Sequence, residues 1–184
     1  MNKIILAIIG LPGAGKTTAT EYVLKKTAWP KVYLGAVTFE ELKKRGMEGG
    51  EANERKIREE LRSTFGPSAY YTLSLPKIRE LYQSSSLIIE SLYTWEEYLE
   101  AKKEFGENFK ALAIYSSPQT RIERMKNRPV RPLTAEELVS RDFAQIENLH
   151  QGGPIARADF TIINEGTVEE LHSKLDEVIN RLSV

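Results

Sequence analysis

The sequence predicts an α/β domain built on one parallel sheet, and three observations carry that prediction. Short β-rich runs alternate with longer helical patterns along the chain. The apolar run IILAIIG leads directly into GLPGAGKTT, which reads as strand, glycine loop and helix start. At 184 residues with 41% hydrophobic content, the chain can fill one core and is short for two. No repeat or low-complexity linker divides it, so one domain over 1–184 is expected.

Five strands are expected in order: Ile4 to Ile9, Val32 to Leu34, Leu87 to Glu90, Ala111 to Tyr115 and Phe160 to Ile163. The helical patterns between them run near Lys16 to Lys26, Asn53 to Phe65, Ser68 to Gln83, Trp95 to Phe105, Gln119 to Asn127, Ala135 to His150 and Val168 to Leu182. Two connections are longer than the few residues usual in such a fold, from Ala36 to Ser86 and from Arg128 to Gly153. Both leave from the carboxyl side of the sheet, where open parallel sheets place their ligand crevice.

Composition removes several function classes. Lys plus Arg (26) balances Asp plus Glu (26), so no overall field draws the chain to nucleic acid or to an anionic membrane. The absence of cysteine rules out disulfides, thiolate catalysis and cysteine-based zinc sites. His150 and His172 have no partner at metal-ligand spacing and are given no role. The start MNKIILAIIG lacks a cleavage site and runs into the glycine loop, unlike a signal peptide. No run reaches the length of a membrane span. A cytoplasmic location is the expectation, with no nucleic-acid and no membrane partner, and with monomer and homodimer equally open.

The segment Gly10, Leu11, Pro12, Gly13, Ala14, Gly15, Lys16, Thr17 matches the phosphate-binding pattern of Gly, four residues, Gly, Lys and Thr, and Thr18 follows it. Glycines let backbone N–H groups converge on phosphate oxygens, and the helix amino end adds positive potential. Lys16 is expected to reach the terminal phosphates, and the Thr17 hydroxyl to contact magnesium. A GTPase would also need D-x-x-G and N-K-x-D. The three aspartates, Asp142, Asp159 and Asp176, begin neither motif. The GTPase reading therefore falls. Glu90, ending SLIIE, is the candidate second carboxylate on the metal side.

Phosphoryl transfer also needs cations around the transferring group. Arg121, Arg124 and Arg128 share one helical face, and Arg131 stands between prolines in NRPVRPLT. Arg128 and Arg131 are the catalytic candidates; Arg121, Arg124 and Arg141 are further ones. Thr134 and Glu137 form a capping-box signature for the next helix, on which Val139, Phe143, Ile146 and Leu149 make an apolar stripe. In NERKIREELRSTFG, Ile57, Leu61 and Phe65 form a second stripe, with Arg55, Arg58 and Arg62 on the adjoining face. Arg55 and Arg58 are the candidates for holding an anionic acceptor. Trp29, Trp95 and Tyr98 read as packing anchors.

On these residues the chain resembles the nucleoside-monophosphate-kinase group of P-loop proteins. Within it, the chain is similar to adenylate-kinase-related and dephospho-CoA-kinase-like ATPases of prokaryotes. The resemblance is carried by REELR, LPKI, ESLYTWEEY, RPVRPLT, Arg141 with Asp142, and GGPIARAD. It implies a three-layer P-loop fold with sheet order 2-3-1-4-5, a helical acceptor-binding insertion at about 36–86, and a lid at about 128–153. It also implies Mg-ATP as phosphoryl donor to a small-molecule acceptor, with Asn164 to Gly166 (Asn164 and Gly166 the named contacts) near the adenine. The acidic and arginine motifs that adenylate kinases carry after the second and third strands read GAVTFEE and ESLYT here. The usual Asp-Gly of the subfamily reads Glu90-Ser91.

Overall fold

A computed structural model describes residues 3–129 and 132–182. Strands β1 (Ile5–Ile9), β2 (Lys31–Tyr33), β3 (Leu87–Glu90), β4 (Phe109–Tyr115) and β5 (Phe160–Ile163) form one parallel sheet in the order β2-β3-β1-β4-β5. The expected order is thus the observed one. The central strand β1 is buried along its whole length, as its unbroken ILAII demands for a strand covered on both faces.

Side-chain alternation on β1 divides the interior. Ile5, Ala7 and Ile9 join a core with Val32, Ile89 and residues of helices α2 (Ala36–Lys44), α3 (Glu51–Phe65), α4 (Ala69–Ser84) and α5 (Trp95–Phe105). Leu6 and Ile8 point the other way, against α1 (Lys16–Thr27) and α9 (Val168–Leu182) through Ala19, Val23, Leu171, Leu175 and Val178. The insertion's Ile57 and Leu61 belong to the first core and not to a separate one. Trp95 and Tyr98 stack at 5.1 Å beside it, and Trp29 packs on the second, so these aromatics anchor packing.

The remaining helices are α6 (Pro118–Lys126), α7 (Ala135–Glu147) and α8 (Gly152–Ala156). Helix α6 opens on a Ser117 cap followed by proline at the first helical position. Both Thr94 with Glu97 and Thr134 with Glu137 close complete capping boxes, which start α5 and α7.

Three local expectations are corrected. Helix α2 was not anticipated, because Thr38 and Leu42 give it a buried face too sparse to read as a period. The helix after Thr134 stops at Glu147, and His150 takes φ 52° before α8 begins. The stripe on α7 faces outward: Val139, Phe143 and Ile146 are 45%, 58% and 47% exposed. Leu138 is the buried residue instead, packed with Leu133 and Met125. Asp142, one turn after Leu138, shares its inward face and pairs with a buried arginine. Phe65, at the end of the other stripe, is half exposed as well.

Candidate functional site

The glycine loop leaves β1 at the carboxyl edge of the sheet and enters α1. Gly10 (φ 144°) and Gly15 (φ 100°) sit where no side chain fits. A Cβ on Gly10 would lie 2.3 Å from the Ile114 carbonyl oxygen, and one on Gly15 would lie 2.4 Å from the Asn164 amide nitrogen. The loop is thereby pressed against β4 and the end of β5. No side chain caps α1, so its first amides and dipole are left for an anion.

Lys16 crosses this loop, donating from Nζ to the Leu11 carbonyl at 3.0 Å. Its pKa is lowered from 10.5 to about 8. Burial is the largest cause, Arg121 adds repulsion, Glu90 opposes, Arg128 lowers it further and Asp142 opposes. The charges acting on Lys16 come from β3, from α6, from the chain just after α6, and from α7. An anion brought beside this ammonium would raise its pKa back toward the ordinary value.

Glu90 ends β3 and pairs in register with Ile8, two residues before Gly10. Its carboxylate lies 2.6 Å from Lys31 Nζ. Thr17 is exposed at the start of α1. Among the described residues no group of three or more acidic or histidine side chains could cage a metal. Magnesium bound through nucleotide phosphates needs no such cage, and one hydroxyl with one carboxylate fits that mode. Arg128 is exposed and within electrostatic reach of Lys16. Arg131 lies outside the described residues.

The other arginines of α6 brace the site. Arg121, 3% exposed, donates to Asp142 on α7 at 2.8 and 2.6 Å, to the Ser116 carbonyl at 3.1 Å and to the Pro12 carbonyl at 3.2 Å. One guanidinium therefore ties the phosphate loop to α7. Arg124 donates to Ser116 Oγ at 2.9 Å and to the Asn164 carbonyl at 3.0 Å. Asn164 itself donates its side-chain amide to the Ala14 carbonyl at 2.9 Å, and Gly166 offers its carbonyl to Arg124 at 3.4 Å. These two residues border the loop and hold its back. Arg141 is exposed. Arg55 pairs with Glu59 at 2.8 Å, and Arg58 with Glu51 at 2.6 Å and Glu54 at 3.6 Å, all on their own helix.

Gln151, which the sequence did not single out, and Ser91, which it marked only as a departure from the subfamily pattern, border the site. Gln151 is fully buried and donates to the Gly10 carbonyl at 3.2 Å, while its Oε1 has no partner among the described residues. Ser91, directly after Glu90, takes the left-handed φ of 69°, which suits the glycine usual at that position in the resembled subfamily. No helix among the described residues is long and apolar enough to cross a membrane.

A family model described as an AAA domain matches residues 6–145. The chain is 32% identical to the UPF0200 protein of Thermococcus kodakarensis, over 97% of this chain and 100% of that one. Among solved structures it resembles a shikimate kinase from Bacteroides thetaiotaomicron, with TM-score 0.61, 15% identity and 96% and 98% of the two chains covered. It also resembles a gluconokinase from Sinorhizobium meliloti, with TM-score 0.62, 12% identity and 98% and 94% covered. At such identities the structures speak for a P-loop kinase-like fold. With the loop, the sheet order and the sequence match in agreement, the chain belongs to the AAA-domain family of P-loop proteins and, within it, to the UPF0200 proteins.

Proposed function

We propose that the protein is an Mg-ATP-dependent kinase that transfers the γ-phosphoryl group to a small nucleotide or nucleotide-like acceptor, of the nucleoside-monophosphate or dephospho-CoA type. One observation carries the reading: Lys16 spans the phosphate loop to the Leu11 carbonyl at the uncapped start of α1, where Glu90 and Arg128 both act on its charge. The loop amides and Lys16 grip the phosphates, whose charge offsets the cost of burying the Lys16 ammonium. Arg128, with Arg131 from the same flap, neutralises charge that spreads over the transferring group. Thr17 and Glu90 are the residues to hold magnesium, which when bound would draw charge from the phosphates. The insertion α2 to α4 walls the acceptor side, and the α7 flap excludes water. That two solved neighbours are named as kinases of small hydroxyl compounds supports the reaction class.

A second reading has its own observation. Arg121 joins the loop carbonyl of Pro12 to Asp142 on α7, so nucleotide occupancy could be read out by α7 without any acceptor. Labelled ATP with a panel of nucleoside monophosphates, dephospho-CoA and small hydroxyl acids separates the two. A phosphorylated product with acceptor-stimulated ADP release is the expected result. Slow hydrolysis indifferent to every acceptor would establish the switch instead.

A further inference from the structure

Helix α3 carries three arginines whose surroundings differ. Arg55 and Arg58 are neutralised by carboxylates of α3 itself. Arg62 lies one turn further, half-buried, with its guanidinium carbon 4.9 Å over the Tyr70 ring. Among the described residues its guanidinium makes no ion pair and no hydrogen bond, and its Nε is buried without an acceptor. A charged donor left so costs more than a neutral one, and it is retained where something else supplies the acceptor.

The nearest carboxylate does not fill that place. Glu97 is close enough to feel Arg62, yet its Oε2 already accepts the Tyr93 and Thr94 amides at 2.8 and 3.0 Å. Thr94 Oγ1 donates to the Pro67 carbonyl at 3.2 Å, which ties the turn after α3 to the chain that follows Glu90. Tyr70 is itself fixed by a 2.7 Å hydrogen bond with Thr38, so the platform beneath the guanidinium is rigid. A stacked guanidinium presents its edge, and that edge matches two oxygens of one anion.

We infer that Arg62 is the anion clamp of the acceptor site, receiving a phosphate or carboxylate carried by the molecule whose reactive oxygen is aimed past Glu90 toward the phosphate loop. The word acceptor rests on the kinase reading; the anion site does not.

The test fills the phosphate loop first. Protein saturated with Mg and a non-hydrolysable ATP analogue is titrated with inorganic phosphate and, separately, with acetate, for wild type, Arg62→Met and Arg62→Lys. Wild type should bind one further anion, and Arg62→Met should weaken that binding at least tenfold. Arg62→Lys, a point charge without the fork, should recover only part of it. Whichever anion binds tighter names the class of acceptor. Crystals of the loaded wild type grown in the winning anion should show it on Arg62, a measurement independent of any variant's folding. Anion binding equal in Arg62→Met and wild type, or no second anion in wild type, would overturn the clamp. In the acceptor panel, Arg62→Met should raise KM for a phosphorylated acceptor at least tenfold, and an unchanged KM overturns it too. An anion on Arg62 with no acceptor ever phosphorylated would leave the clamp standing and defeat the kinase reading.

Discussion

Replacing Lys16 by methionine should make the unliganded protein more stable while removing its response to ATP. A lysine whose pKa falls from 10.5 to about 8 costs the fold about 3 kcal/mol when charged at pH 7, at about 1.4 kcal/mol per pH unit. Methionine keeps the stem and removes the charge. It also loses the hydrogen bond to the Leu11 carbonyl, worth about 1 kcal/mol. That carbonyl keeps the Ala14 amide at 3.2 Å and is not orphaned. The net gain is about 2 kcal/mol, or roughly 4 to 8 °C in Tm for a chain of this size. The sign with pH follows from linkage. Between pH 8 and 10.5 the unfolded lysine holds a proton that the folded one has released, so wild-type stability rises with pH relative to the variant. The gap should therefore close by about 1.4 kcal/mol per pH unit above 8. Thermal melts of both proteins from pH 7 to 9.5, with and without Mg-ATP, provide the assay. A variant that melts below wild type at pH 7, or a gap that ignores pH, would refute the reasoning. ATP at a hundred times its Kd should raise the wild type by about 2.7 kcal/mol and leave the variant unmoved.

Asp142→Ala strands the buried Arg121 charge and should cost about 3 kcal/mol; chemical denaturation measures it, and a loss under 1 kcal/mol would show the pair to be incidental. Thr17→Ala should keep the fold and the ATP-induced rise in Tm measured without metal, but lose the extra rise that magnesium gives wild type. Equal magnesium gains in both proteins would remove Thr17 from the metal site. Ala28 ends α1 at φ 55°, its amide donating to the Leu24 carbonyl at 2.9 Å. Ala28→Gly should thus stabilise by about 0.5 to 1 kcal/mol, and a fall in Tm would contradict that reading of the cap.

The sequence alone determined the features set by neighbours in the chain. The phosphate loop, the buried strands and both capping boxes follow from residues a few positions apart, because strand alternation, helix starts and glycine turns are local in origin. Even the sheet order was available, through a resemblance spread over the chain. What the tertiary structure decided depends on partners far apart in sequence. The α7 stripe faces outward while Asp142, on the inward face with Leu138, meets Arg121, 21 residues away, and turning Asp142 out would strand the buried Arg121 charge. Asn164 turned its side chain to Ala14, 150 residues away. Gln151 reached Gly10 across 141 residues. Of three arginines that sequence places on one face of α3, the fold neutralised two and left Arg62 over Tyr70 with no acceptor for its Nε among the described residues. Charge alone could not separate them, since the difference lies in which carboxylates and rings the folded chain brings alongside.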